Sequence, residues 1–335
     1  MTRLLSILTW HVHGGYLYHL SRIRHELVLP VKPGRPPGFC GRTPSYPWPD
    51  NVREVPAEAV RTMEFDCILF QQQQNYLVDQ YEILSPAQRS LPKVYIEHDP
   101  PRQHPTDTRH VVDDPNVLLV HVTPFNALMW DSGGTPTTVI EHGVFVPEEA
   151  RYRGDLPRGI TVVNNLRPRG RRLGSDVFES ARREVPLDLV GMDSETMGGI
   201  GEIPPPDLPL FISQYRFFFN PIRYTSLGLA VCEAMMVGLP VIALATTEMA
   251  TVIRNGVSGY IDTHLRALIG PMQQLIADPG EARMLGERAR QTALERFNID
   301  RFVSDWESAL ALVTGTQAEH RRDVERPVLL AGNVT

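Results

Sequence analysis

The chain has 335 residues, 42% of them hydrophobic, with a formal net charge of −6. That length exceeds one ordinary core and suits two domains of about 150 residues each. The mild acidity argues against a general nucleic-acid binder, whose domains are basic. Three cysteines, Cys40, Cys67 and Cys232, are odd in number and widely spaced. They match neither a metal motif nor a disulfide framework, which suits a reducing, cytoplasmic compartment. Lys32 and Lys93 are the only lysines, so cationic roles fall to arginine, a planar fork where lysine is a point charge.

From the N-terminus, "LLSILTW" is too short to span a bilayer and reads as a buried strand. No other run reaches the ~20 apolar residues of a spanning helix, so a cytoplasmic protein is expected, with peripheral membrane contact left open. Gly14 and Gly15 then lead into the helical pattern "YLYHLSRIR". "ELVLPV" is a strand, and the Pro/Gly-rich residues 33–50 form a long loop. "FDCILF", "KVYIEH", "NVLLVHV" and "TTVIEHG" are further strands. Such near-continuous apolar runs between helices describe a parallel sheet buried on both faces.

The charged stretch "PEEARYRGDLPRG", residues 147–159, reads as a linker. A second alternating series follows: "ITVVNNL", a helix around "DVFESARRE", "LDLVGM", "YRFFFNP", the helix "LAVCEAMMV", "PVIALA" and "SGYID". Helices close the chain, and the last, with Phe302 and Trp306, is long enough to pack back across the junction. The expected fold class is α/β, with two Rossmann-like, doubly wound parallel-sheet domains facing a cleft. Residues 1–152 would form the first domain and 153–300 the second. A helix over 301–315 and a flexible polar tail over 316–335 complete the chain. Paired domains of this kind bind ligands beyond the carboxyl ends of their strands.

The candidate residues fall at those ends. Gly14 and Gly15, after the first strand, let backbone approach a ligand, though an ordinary strand-to-helix turn would read the same. After "ITVV", Arg167, Arg169, Arg171 and Arg172 gather positive charge suited to bidentate phosphate pairing, or to a solvated basic loop. After "RFFFNP", Arg223, Tyr224, Thr225, Ser226, Leu227, Gly228 and Leu229 turn into a helix whose first amides suit a diphosphate. Ser226 or Thr225 is placed to cap that helix. Glu233, two turns on among apolar neighbours, suits a ribose diol. In the first domain His98 and Asp99 follow the strand "KVYIE". His11 and His13 are further cleft candidates, and Gln71 to Gln74 can line a polyol site because amides both donate and accept.

The stretch "SLGLAVCEAMMVGLPVIALATTEMATVIRNGVSGYID" resembles the donor-binding signature of the family 4, or group 1, glycosyltransferases of GT-B fold. The likeness is specific over residues 220–262 and extends in layout over about 1–312. It implies a retaining, metal-independent enzyme that moves a sugar from a nucleotide-diphosphate sugar to an acceptor hydroxyl. The acceptor would be a glycan, a lipid-linked sugar or a small molecule, with no cofactor and no nucleic-acid partner. By the resemblance, Glu233 takes the ribose-binding position, and Gly228 and Leu229 the turn against donor sugar and phosphate. Thr225 stands where the family has its first glutamate, with Arg223 and Tyr224 at hand to supply what it lacks. The family's phosphate-binding Arg aligns with Asn165, so Arg169 or Arg172 must carry that charge. His98 falls at the family's acceptor-side histidine, and His142 replaces a common Asn at the hinge. Two alternatives share these residues: a nucleotide-sugar epimerase or hydrolase on the same fold, and a non-catalytic nucleotide-sugar-binding protein.

Overall fold

The structure is a computed structural model that describes residues 3–316; most of the expected polar tail lies outside the described residues. Seven parallel strands build the first sheet: β1 (Ser6–Thr9), β2 (Glu26–Val31), β3 (Val52–Pro56), β4 (Cys67–Phe70), β5 (Lys93–Glu97), β6 (Val117–His121) and β7 (Thr137–Val139). They lie in the order β3-β2-β1-β4-β5-β6-β7. Five more form the second sheet: β8 (Leu156–Val162), β9 (Leu187–Val190), β10 (Tyr215–Asn220), β11 (Val241–Leu244) and β12 (Gly259–Asp262), in the order β12-β11-β10-β8-β9. The fold class is therefore two parallel-sheet α/β domains.

In each sheet the chain order reverses beside the first strand. Ile7 on β1 pairs with Leu27 on one side and Cys67 on the other. Phe218 on β10 pairs with Ile160 and Val241. β10, "YRFFFN", is buried at every position, as a central strand covered on both faces must be. The edge strand β3, "VREVP", escaped the sequence reading. It is short, buries only Val52 and Val55, and ends on a proline that an edge tolerates.

Helices cover both sheets. The helix Gly14–Leu20 is shorter than its apolar pattern, and the Ser21 hydroxyl folds back to the Tyr18 carbonyl at its end. Asp278 caps Pro279–Arg296 through the amides of Gly280 and Glu281, and Asn298 caps Ile299–Thr314 through those of Asp300 and Arg301. No helix among the described residues is long and apolar enough to cross a membrane.

The last helix, although it follows the second domain, buries Phe302, Trp306 and Leu310 in the first domain's core with Leu5, Ile7 and Tyr16. Trp306 Nε1 donates to the Tyr16 hydroxyl at 3.1 Å. Arg301 donates to the carbonyls of Glu141 (2.8 Å) and His142 (2.6 Å) on the segment joining the domains. Trp306→Ala should cost about 3–5 kcal/mol of stability to the first domain. Denaturant unfolding followed by the first domain's fluorescence checks this, and an unchanged transition would show that the helix contributes no core.

Candidate active site

The helix Leu229–Val237 begins at Gly228, which has extended backbone and no side-chain cap. Ser226 and Thr225 do not cap it. Ser226 Oγ instead donates across the domains to the His98 carbonyl at 2.7 Å, and the Tyr224 hydroxyl to the Pro101 carbonyl at 2.9 Å. The first amides of this nine-residue helix are thus left for another acceptor, and the helix dipole favours an anion there. A Cβ added at Gly228 would meet no protein atom within 4 Å. The space over that turn is open. Leu227 is buried, and its carbonyl accepts from His142 Nε2 at 2.8 Å, which holds the turn against the first domain.

Glu233 lies on the same helix with its carboxylate about one-sixth exposed and no hydrogen bond among the described residues. His19 Nε2 stands 3.8 Å away, outside bonding distance. The Phe145 amide donates to His19 Nδ1, so Nε2 carries the proton and presents it toward Glu233. Tyr46, from the long loop, joins this group: its phenol is pushed up to about 12 by burial and by the negative charges of Glu233 and Glu202. Tyr46 also explains the two glycines. A Cβ on Gly14 would meet His11 at 2.9 Å and Tyr46 at 3.0 Å; one on Gly15 would meet Leu229 at 3.1 Å and the Tyr46 hydroxyl at 3.3 Å. The close approach at Gly14 and Gly15 is to side chains of both domains.

The arginine-rich segment is a helix, Leu166–Leu173, kinked at Gly170 and started by Asn165 in the left-handed conformation. The kink separates the arginines. Arg167 lines a hollow of about 350 Å³ with Glu179, Arg182 and Arg183, while Arg171 pairs with Asp176 at 2.7 Å. Arg169 and Arg172 form no ion pair among the described residues. The Arg169 guanidinium is held down by burial and by Arg172, and it also feels Asp99 and Arg102 of the first domain. Arg223 is committed elsewhere: its two nitrogens grip both oxygens of Asp176 at 2.6 and 2.7 Å, and one also reaches the Arg171 carbonyl. It braces the loop and is not free to serve a ligand in place of a glutamate. Thr225, half-buried between these anchored neighbours, makes no side-chain hydrogen bond among the described residues.

On the facing domain, a cavity of about 580 Å³ opens at the ends of β1, β4 and β5, with His13, His98 and Asp99 on its wall. The His98 and His13 rings lie 4.1 Å apart. His98 is held far below its usual range by burial and by His13 and His142, and its Nε2 is buried without a partner. Asp99 pairs with Arg102 at 2.5 Å. Glu97 sets the turn that presents Asp99: one oxygen accepts the Asp99 amide at 2.9 Å, the other faces His110 Nε2 at 3.0 Å. The Val112 amide donates to His110 Nδ1, so the Nε2 hydrogen goes to Glu97. Arg102, Glu97, His110, His19 and Tyr46 were not found from the sequence. Each meets the site through a contact made only in the folded chain, and none lies in a recognisable motif. Among the described residues no group of three or more His, Cys, Asp or Glu is placed to hold a metal ion.

Residues 195–292, which include the Gly228 turn and Glu233, match the family description "Glycosyl transferases group 1". This confirms the resemblance drawn from residues 220–262. Over 106 residues the chain is 34% identical to N-acetyl-alpha-D-glucosaminyl L-malate synthase from Bacillus anthracis; the match covers 30% of this chain and spans only 25% of that relative. The fold as a whole is similar to that of sucrose-phosphate synthase from Thermosynechococcus elongatus, with a TM-score of 0.68, 16% identity and coverage of 94% of this chain and 100% of that one. Anabaena HepE in complex with UDP is similar to the same degree, with a TM-score of 0.68, 16% identity and coverage of 92% and 100%. The two facing domains are those of the GT-B architecture.

The buried histidines give the fold a definite acid response. Burial drops His142 and His121 to about 4. In the unfolded chain they return to about 6.5. The folded values are the lower ones, so between about pH 6.5 and 4 the unfolded state binds more protons and stability falls as pH falls. The thermal midpoint should decline across that window, and less steeply in His142→Asn, which removes one such group. A midpoint independent of pH from 6.5 to 4 would contradict the burial of these rings as neutral imidazoles.

Proposed function

We propose that this protein is a retaining glycosyltransferase of the family 4 type, which moves a hexose-like sugar from a nucleoside-diphosphate sugar to an acceptor hydroxyl without a metal ion. The observation that carries the reading is the uncapped helix start at Gly228, open to space, with Glu233 on the same helix, 3.8 Å from His19 and without a hydrogen bond among the described residues, and with Arg169 and Arg172, which form no ion pair among the described residues, nearby. In this reading Glu233 accepts hydrogen bonds from the ribose diol. The Gly228–Leu229 amides and the two arginines receive the diphosphate. As the bond from the anomeric carbon to the diphosphate oxygen breaks, negative charge grows on that oxygen, where fixed amides and guanidinium groups stabilise it. The leaving phosphate oxygen takes the acceptor's proton as the acceptor oxygen bonds to the same face of the sugar. His98 and Asp99 border the acceptor, and Thr225 meets the donor sugar with a hydroxyl where a charge would otherwise stand. The three free cysteines support a cytoplasmic setting.

Turnover of a panel of nucleotide sugars, with and without EDTA, tests the proposal. Transfer that survives chelation is expected. Turnover abolished by EDTA and restored by Mg²⁺ or Mn²⁺ would overturn the metal-free mechanism, and nucleotide binding without turnover of any donor would overturn the enzymatic one.

Two variants locate the donor. Gly228→Ala has an allowed backbone and no protein atom to strike, so folding should be unaffected while the added methyl enters the space assigned to the donor. Glu233→Ala should weaken donor binding by about 1.5–3 kcal/mol, roughly ten- to a hundredfold. Calorimetry with the accepted nucleotide sugar measures both, and unaltered affinity in both would remove this turn and helix from the site.

A further inference from the structure

The cavity in the first domain carries a chemical preference written in its wall. Its charged side chains each have a partner of opposite charge or a hydrogen-bonded neighbour. Arg102 pairs with Asp99 at 2.5 Å; Arg109 pairs with Asp113 at 2.6 Å and lies 4.0 Å from Asp131; Glu97 holds His110 and the Asp99 amide. An anionic ligand would find each arginine beside a carboxylate and would be repelled by the latter.

The uncharged groups are not spent. Gln72, Gln73 and Gln103 line the cavity, and their side chains make no hydrogen bond among the described residues. Gln71 is only 2% exposed. Its amide nitrogen donates to the Trp10 carbonyl at 2.7 Å and to Thr9 Oγ1 at 3.1 Å, which fixes the orientation of the amide. Its Oε1 is left buried with no partner. That atom can only accept. A carboxylate or phosphate oxygen has no hydrogen to give it, whereas a hydroxyl has. His98 Nε2, in the same wall, is likewise buried and unpaired. Trp130 and Tyr95 add aromatic surface, which suits the apolar C–H face of a sugar ring, and about 580 Å³ lies within the range of small-molecule sites.

We propose that this cavity is the acceptor site and that it takes a neutral carbohydrate, whose hydroxyls meet the glutamine amides and the unpaired Gln71 Oε1, in preference to a carboxylated or phosphorylated acceptor. The inference rests on the glycosyltransferase reading for the word acceptor, and on the cavity alone for the class of ligand.

The test is direct binding to the full chain, by calorimetry and ligand-observed NMR. Methyl glucoside, methyl galactoside, methyl mannoside and maltose are set against malate and glycerol 3-phosphate. At least one saccharide should bind tenfold or more tightly than either anion, and Gln72→Ala with Gln73→Ala, both on the cavity's open side, should weaken it about tenfold. Asp113→Asn with Asp131→Asn, which unpairs Arg109, should improve binding of the anions. The same sugar on an octyl chain separates a lipid-linked from a free glycan, and binding of either form supports the proposal. Tighter binding of an anion to the unaltered protein, or no saccharide binding at all, overturns it. Failure of the glycosyltransferase reading has a different signature: saccharides bind, but no nucleotide sugar is turned over.

Discussion

Every strand pairing within both sheets is parallel, and this constraint places the site. Parallel strands all end at one edge of a sheet, and each crossover helix begins near that edge. β1 therefore delivers Gly14, β5 delivers His98, β8 delivers Asn165, and β10 delivers the turn through Gly228. With the two edges facing, four separate segments converge although up to 214 residues separate Gly14 from Gly228. Burial of both sheet faces under helices is the counterpart of the same constraint, and it is why β4, β6, β10 and β11 carry no exposed residue.

Once the edges face, polar groups at the junction must find partners or remain open to a ligand. Many find partners across the domains. Tyr224 and Ser226 hold the carbonyls of Pro101 and His98, and His142 holds that of Leu227. Glu248, 2% exposed, accepts the Phe125 amide at 2.9 Å and lies 3.6 Å from Arg296. A buried carboxylate is tolerable only when it is paired in this way. The functional reading rests on groups that stay without a hydrogen bond among the described residues: the amides at the Gly228 turn, the Glu233 carboxylate and, in the first domain, Gln71 Oε1 and His98 Nε2. The hydroxyls of Ser226 and Tyr224 hold the two domains together at the cleft.

Thr225, where the resemblance expects a glutamate, takes its meaning from this arrangement. Arg223, next in line as a charged substitute, has both nitrogens engaged by Asp176. Asp176 is in turn held below the usual carboxylate range, chiefly by that arginine. The Thr225 end of the turn thus carries no negative charge and gains no unpaired charge from Arg223, while the helix that follows carries the carboxylate of Glu233.

The sequence by itself determined the parallel α/β class, the strands and the Gly228–Glu233 motif. These depend on local periodicity: apolar runs long enough for strands, a glycine before a helix, and a carboxylate among apolar neighbours. It did not reveal the short edge strand β3, whose burial pattern is only two valines. Nor did it separate the arginines of 167–172, because their directions are set by a kink at Gly170 that composition does not show. Tertiary structure alone decided which polar groups were already taken: Arg223 by Asp176, Ser226 by His98, Asp99 by Arg102, and Glu97 by His110. A hydrogen bond requires two groups within about 3 Å; Glu97 and His110, or Arg223 and Asp176, come that close only when their own domain has folded, and Ser226 and His98, 128 residues apart, only when the two sheets have met.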